Sequence, residues 1–114
     1  MLFRSLASLM KYRSNKCLAI HVIDLKKAEE FYSGVMHFKL VSKTKKQLEY
    51  KTGRFRLYIN KDLKAQSPIP SFTVKNVTKA RDQLKSAGCK IVDDRGTSLY
   101  FRDPFGFVYD LVEE

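Results

Sequence analysis

Two stretches decide the fold: Cys17-Leu18-Ala19-Ile20-His21-Val22-Ile23-Asp24-Leu25 and Ile69-Pro70-Ser71-Phe72-Thr73-Val74-Lys75-Asn76-Val77. Each alternates apolar and polar positions, as a strand does. Each then reaches a short polar residue, Asp24 or Asn76, whose side chain can accept from the free amides of a helix's first turn. The match continues through Leu25 and Ala28 in one stretch and Val77 and Ala80 in the other. Further on, Lys39, Leu40, Val41, Leu48 and Tyr50 fall opposite Lys90, Ile91, Val92, Leu99 and Phe101, and a turn glycine follows in each copy, at Gly53 and Gly106. The chain is therefore an internal repeat. Each copy is too short to bury a core of its own, which predicts one domain whose halves share an interior.

The elements follow from the same pattern. A strand over Cys17–Ile23 leads into a helix over Leu25–Met36 with Leu25, Ala28, Phe31, Tyr32 and Val35 as its buried stripe. Strands over Phe38–Ser42, Gln47–Lys51 and Arg54–Asn60 complete the first copy. A linker over Lys61–Pro70 is stiffened by Pro68 and Pro70, which cannot donate to a ladder. The second copy repeats the order with a strand over Ser71–Lys75, a helix over Val77–Ala87 closed by Gly88, and strands over Lys90–Asp93, Ser98–Arg102 and Phe107–Val112. His37 near the end of the first helix is placed to meet free carbonyls.

Composition narrows the setting. The chain has 114 residues, 44% of them hydrophobic, and no apolar run of membrane-spanning length. Its two cysteines, Cys17 and Cys89, offer no disulfide framework, which predicts a reduced, cytoplasmic environment. The formal net charge of +10 admits anionic ligands, nucleic acid or a membrane surface, but the lysines are interleaved with acids, as a solubilising surface would have them. Basic residues Arg4, Lys11, Arg13 and Lys16 precede the first acid, Asp24, and Leu2, Phe3, Leu6, Leu9 and Met10 recur at helical spacing. The segment over residues 1–16 is thus expected to carry a short amphipathic helix over Met1–Lys11. It would pack on the domain or on a partner subunit, serve as a presequence, or lie on a membrane surface.

The opening His21-Val22-Ile23-Asp24-Leu25 through Ala28 to Phe31-Tyr32, with the closing Phe101-Arg102-Asp103-Pro104-Phe105-Gly106, resembles the vicinal oxygen chelate superfamily of glyoxalases, extradiol dioxygenases and bleomycin resistance proteins. The resemblance implies an α+β fold of two tandem βαβββ modules, over residues 17–60 and 69–114, curling into open half barrels around a concave cleft. It also implies a homodimer. Enzymes of the superfamily hold a divalent metal from strands lining that cleft. By the resemblance, the four ligand positions fall here on Cys17, Leu57, Ile69 and Asp110. Leucine and isoleucine have no electron pair to donate, and an open catalytic site needs three protein ligands.

The expectation is therefore a protein without a metal or other cofactor. It would bind a small apolar or aromatic molecule in the cleft, oriented by His21 and Asp110 and lined by Cys17, Tyr50, Leu57, Ile69, Ser71 and Phe101. The alternative is a metal-dependent glyoxalase- or dioxygenase-type enzyme with displaced ligands, such as a Cys17, His21, Asp110 set. No phosphate loop, Cys-x-x-Cys pair or nucleophile elbow appears, and nothing supports nucleic-acid binding or a membrane span.

Overall fold

The structure, a computed structural model, describes residues 10–114. Ten elements follow in the order β1 (Arg13–Val22), α1 (Leu25–Gly34), β2 (Lys39–Lys43), β3 (Gln47–Lys51), β4 (Arg56–Lys61), β5 (Gln66–Val74), α2 (Val77–Ser86), β6 (Lys90–Asp94), β7 (Ser98–Arg102) and β8 (Val108–Glu113). This is an α+β fold of two βαβββ modules. The amphipathic helix expected over Met1–Lys11 lies almost wholly outside the described residues, and from Met10 onward the first regular element is β1.

The chain divides into two compact units, one of residues 16–71 and the other of residues 72–114 together with the described residues before Lys16. In the first unit the strands run in the order β2-β3-β4-β1, with β1 parallel to β4 and the others antiparallel. In the second the order is β5-β8-β7-β6, with the β6–β7 and β7–β8 pairs antiparallel. The sequence predicts one shared interior. Within each unit the buried residues form a cluster of their own, where the helix covers the apolar face of its sheet. Ala28 of α1 packs with Leu48, Tyr50, Leu57 and Ile59. Val77, Ala80 and Leu84 of α2 pack with Val74, Leu99, Phe101 and Leu111.

Both helices begin as their sequences require. Asp24 accepts from the Lys27 amide at 3.0 Å, and Asn76 accepts from the Lys79 amide at 3.0 Å, each filling one of the orphan donors of a first turn. α1 stops at Gly34, short of Met36, and the chain turns at His37 with φ +58°; Gly88 turns the second copy with φ +93°. Two of the five residues in the expected stripe, Phe31 and Val35, are 47% and 65% exposed.

The expected linker over residues 61–70 is mostly strand, since β4 extends through Lys61 and β5 starts at Gln66. Pro68 and Pro70 sit inside β5. Residues two apart in a strand point their amides to the same side, so the two missing donors weaken one edge and leave the other complete. Neither helix is long and apolar enough to cross a membrane.

Candidate functional site

Strand alternation sorts each sheet into a face under its helix and an open face. In the first unit Leu18, Ile20 and Val22 of β1 pack on the α1 cluster, so Cys17, Ala19 and His21 point the other way. Across the sheet, Cys17 stands opposite Arg56, Ala19 opposite Tyr58 and His21 opposite Asn60. Tyr58 in turn faces Glu49, and Asn60 faces Gln47. The open face is therefore polar. Arg56 pairs with the Glu49 carboxylate, the Tyr58 hydroxyl donates to that carboxylate at 3.3 Å, and the Gln47 amide donates to Asn60 at 2.8 Å. Partial burial, the charge of Glu49, the nearby Cys17 and the hydrogen bond to Glu49 all raise the Tyr58 phenol above its ordinary 10.0, against the opposing pull of Arg56.

His21, with a side chain only 12% exposed, meets Asp62 through Nδ1 at 3.0 Å. Asp62 also accepts from the Leu63 amide at 2.6 Å and from Gln66 at 2.9 Å. These two bonds, more than the histidine, hold its carboxyl below the usual 3.8. The acid that serves His21 thus comes from the stretch just after β4, which the sequence reading treats as linker.

The second unit presents its own polar face. Tyr100 stands opposite Asp110 on one side and Asp93 on the other. Arg95 reaches Asp110 at 3.1 Å and Asp93 at 3.6 Å, and its guanidinium lies 4.6 Å from the centre of the Tyr100 ring. Asp110 is ion-paired, and Arg95, from the β6–β7 turn, is its partner.

Within their own units the expected site residues fall as follows. Cys17 and His21 share the open face of the first unit, and Asp110 lies on that of the second. Tyr50, Leu57 and Phe101 belong to the buried clusters beneath the helices. Tyr50 is fully buried, its hydroxyl 2.8 Å from Ser33 Oγ of α1, and Phe101 lies 5.6 Å from Tyr109. Ile69 and Ser71 are buried positions of β5. Leu57 is also displaced as the mate of Asp110. Residues 52–55 join Lys51 to its opposite number Arg56, whereas residues 103–107 join Arg102 to Val108. One extra residue in the second turn shifts the correspondence by one, and a one-residue shift exchanges the faces of a strand. By register the mate of Asp110 is Tyr58.

The side chains that the sequence offers as metal ligands already have other neighbours within their own units. Among the described residues no three His, Cys, Asp or Glu side chains gather as a ligand set. A guanidinium sits on Asp110, another stands opposite Cys17, and Asp62 takes the Nδ1 of His21.

Comparison with known proteins agrees with this architecture. Residues 15–111 match the Glyoxalase/Bleomycin resistance protein/Dioxygenase superfamily. Among solved structures, homoprotocatechuate 2,3-dioxygenase from Brevibacterium fuscum, in complex with 3,4-dihydroxyphenylacetate, is similar with a TM-score of 0.72 and 22% identity, over 96% of this chain and 39% of that one. The Mn(II)-bound glyoxalase from Novosphingobium aromaticivorans gives 0.67 and 13%, over 92% and 40%. A hypothetical protein from Bacillus halodurans gives 0.67 and 16%, over 92% of this chain and 94% of its own. The chain thus spans well under half the length of the dioxygenase and the glyoxalase. No curated protein sequence matches it.

Proposed function

Because the chain belongs to the glyoxalase/bleomycin resistance protein/dioxygenase superfamily, we propose that it is a metal-independent binding protein for a small aromatic molecule that carries hydrogen-bonding groups. The observation that supports this reading most is the Glu49–Arg56–Tyr58 cluster on the open face of residues 16–71. Glu49 is 17% exposed at its side chain and already neutralised by Arg56, so it can accept from a ligand hydroxyl without a cation. Tyr58 offers a ring face and a protonated phenol beside it. Cys17 and His21 flank this cluster on β1, and in the other unit Asp110, Arg95 and Tyr100 form a comparable acid, guanidinium and phenol group. Of the apolar or aromatic molecules that the sequence suggests, the polar groups beside Tyr58 support an aromatic one with polar substituents.

The test is a ligand-observed NMR screen of phenols, benzoates and indoles against the whole chain. Hits should weaken about tenfold with Tyr58→Phe or Glu49→Gln, the effect of one lost hydrogen bond to a charged partner. Affinities unchanged in both variants and in Asp110→Ala would overturn the assignment. So would one equivalent of zinc, manganese, nickel or iron retained after dialysis, which would favour the metalloenzyme.

A further inference from the structure

One end of each hairpin sheet breaks a rule of strand pairing. In the first unit Lys39 stands directly opposite Lys51, and Lys51 directly opposite Arg56. In the second, Lys90 stands directly opposite Arg102. Like charges in direct register destabilise a sheet. Among the described residues, Lys39, Lys51, Lys90 and Arg102 have no acidic partner. Both copies carry this arrangement, although elsewhere they exchange the signs of their charges.

The turns that follow these positions carry exposed aromatics. Phe55 is 40% exposed, Phe105 82% and Phe107 63%. The second turn is braced: the Asp103 carboxylate accepts from the Phe105 and Phe107 amides at 2.9 Å each, and Arg102 donates to the Gly106 carbonyl at 3.0 Å. Two phenylalanines are thus held out in water by a turn whose only acid is engaged with the backbone.

We propose that the Asp103–Phe107 turn docks on an anionic phospholipid surface, Phe105 and Phe107 entering the boundary between headgroups and acyl chains while Lys90 and Arg102 meet the phosphates. Aromatic side chains at a rigid tip, flanked by unpaired cations, are the composition that such an interface rewards. Charge complementarity selects it over a second copy of the same chain, whose net charge is +10. A platform for stacking nucleic-acid bases would set its rings on a sheet between the cations, whereas these protrude beyond the strand ends.

The experiment is co-sedimentation of the whole chain with vesicles of phosphatidylcholine alone and of phosphatidylcholine mixed with phosphatidylserine, at low and high salt. Binding is expected only to the mixed vesicles and only at low salt. The double variant Phe105→Ser/Phe107→Ser should weaken it about tenfold or more. Arg102→Gln and Lys90→Gln should each weaken it about fivefold. The two phenylalanine side chains are exposed, so circular dichroism melting of their double variant should stay unchanged, and Lys90→Gln, which relieves a like-charge pair, should not lower it. The proposal falls if the mixed vesicles are not bound, if the variants bind them as well as the parent, or if the phenylalanine variant splits a dimer in light scattering with vesicle binding intact. It also falls if an oligothymidylate, and not the vesicle, is the probe whose binding these variants abolish.

Discussion

The two copies solve the same local problem with opposite charges. In the first, Glu29 of α1 reaches Lys43 of β2 at 2.9 Å. At the equivalent place in the second, Arg81 of α2 holds Asp94 of β6, with Nη2 donating to Asp94 Oδ1 at 2.9 Å and to the Gly96 carbonyl at 3.0 Å. A second exchange lies on the open faces. Glu49 stands opposite Tyr58 in one copy, and Tyr100 stands opposite Asp110 in the other, so acid and phenol have changed strands. What persists is therefore the pairing, and its sign or direction is free to vary. Positions where both copies keep the same charge, as in the lysine and arginine rows at the hairpin ends, point to a requirement outside the fold.

The comparison breaks most visibly in the cores. Leu48 and Leu99 occupy matching places, 1% and 0% exposed, beneath their respective helices. Leu48→Ala and Leu99→Ala should each cost about 2–5 kcal/mol by lost burial and the cavity left behind. Chemical denaturation followed by far-UV circular dichroism measures both. If the units unfold as one, each variant shifts a single transition; if they unfold separately, each splits the curve at its own half.

The exchanged ion pairs should differ in weight. Arg81 is 17% exposed at its side chain and makes a charged and a carbonyl contact, whereas Lys43 is 59% exposed and makes one. Arg81→Ala is expected to cost about 1–2 kcal/mol, and Lys43→Ala under about 0.5 kcal/mol. Equal losses would show that the carbonyl contact to Gly96 contributes nothing. The second pair also leaves a pH signature. The Gly96 amide first, and Arg81 after it, hold the Asp94 carboxyl below 3.8. A depressed acid contributes stability that is complete above its unfolded value and fades as pH falls through the lower folded value. Asp94→Asn should therefore flatten the acid limb of the stability curve below about pH 4.

The same comparison explains what could be read from the residues. Caps, helices and turn glycines were legible because Asp24 and Asn76, or Gly53 and Gly106, fulfil local requirements that do not depend on distant chain. The order of strands followed from repeating that unit. Which face Leu57 occupies was not legible, because it depends on whether four or five residues close the turn, and a single residue reverses the outcome. The partners of His21 and Asp110 were hidden for a related reason. Asp62 and Arg95 come from connecting segments, where no periodicity announces the direction of a side chain.

A finer difference lies inside the matched cores, where Tyr50 of the first copy stands in for Phe101 of the second. The tyrosine hydroxyl meets Ser33 of α1 at 2.8 Å. Tyr50→Phe should cost about 1 kcal/mol, the net value of one hydrogen bond, and Ser33→Ala in the same background should cost nothing further at this contact. An additive pair would show that the two hydroxyls are satisfied independently.

The smallest expected effect concerns the residue that turns the chain out of each helix. Gly88 does so at φ +93°, a conformation open to glycine and strained for any residue with a Cβ. His37 does so at φ +58°, inside the narrow left-handed region that other residues enter at a cost. Glycine at this position would relieve that cost but would also gain freedom in the unfolded chain. Relief should prevail, because the imidazole is exposed and no packing is lost with it. His37→Gly is therefore expected to stabilise the protein by about 0.5 kcal/mol, read as a rise in the denaturation midpoint with unchanged slope. A fall in that midpoint would mean that the His37 side chain holds the end of α1 in a way that Gly88, having no side chain, cannot reproduce for α2.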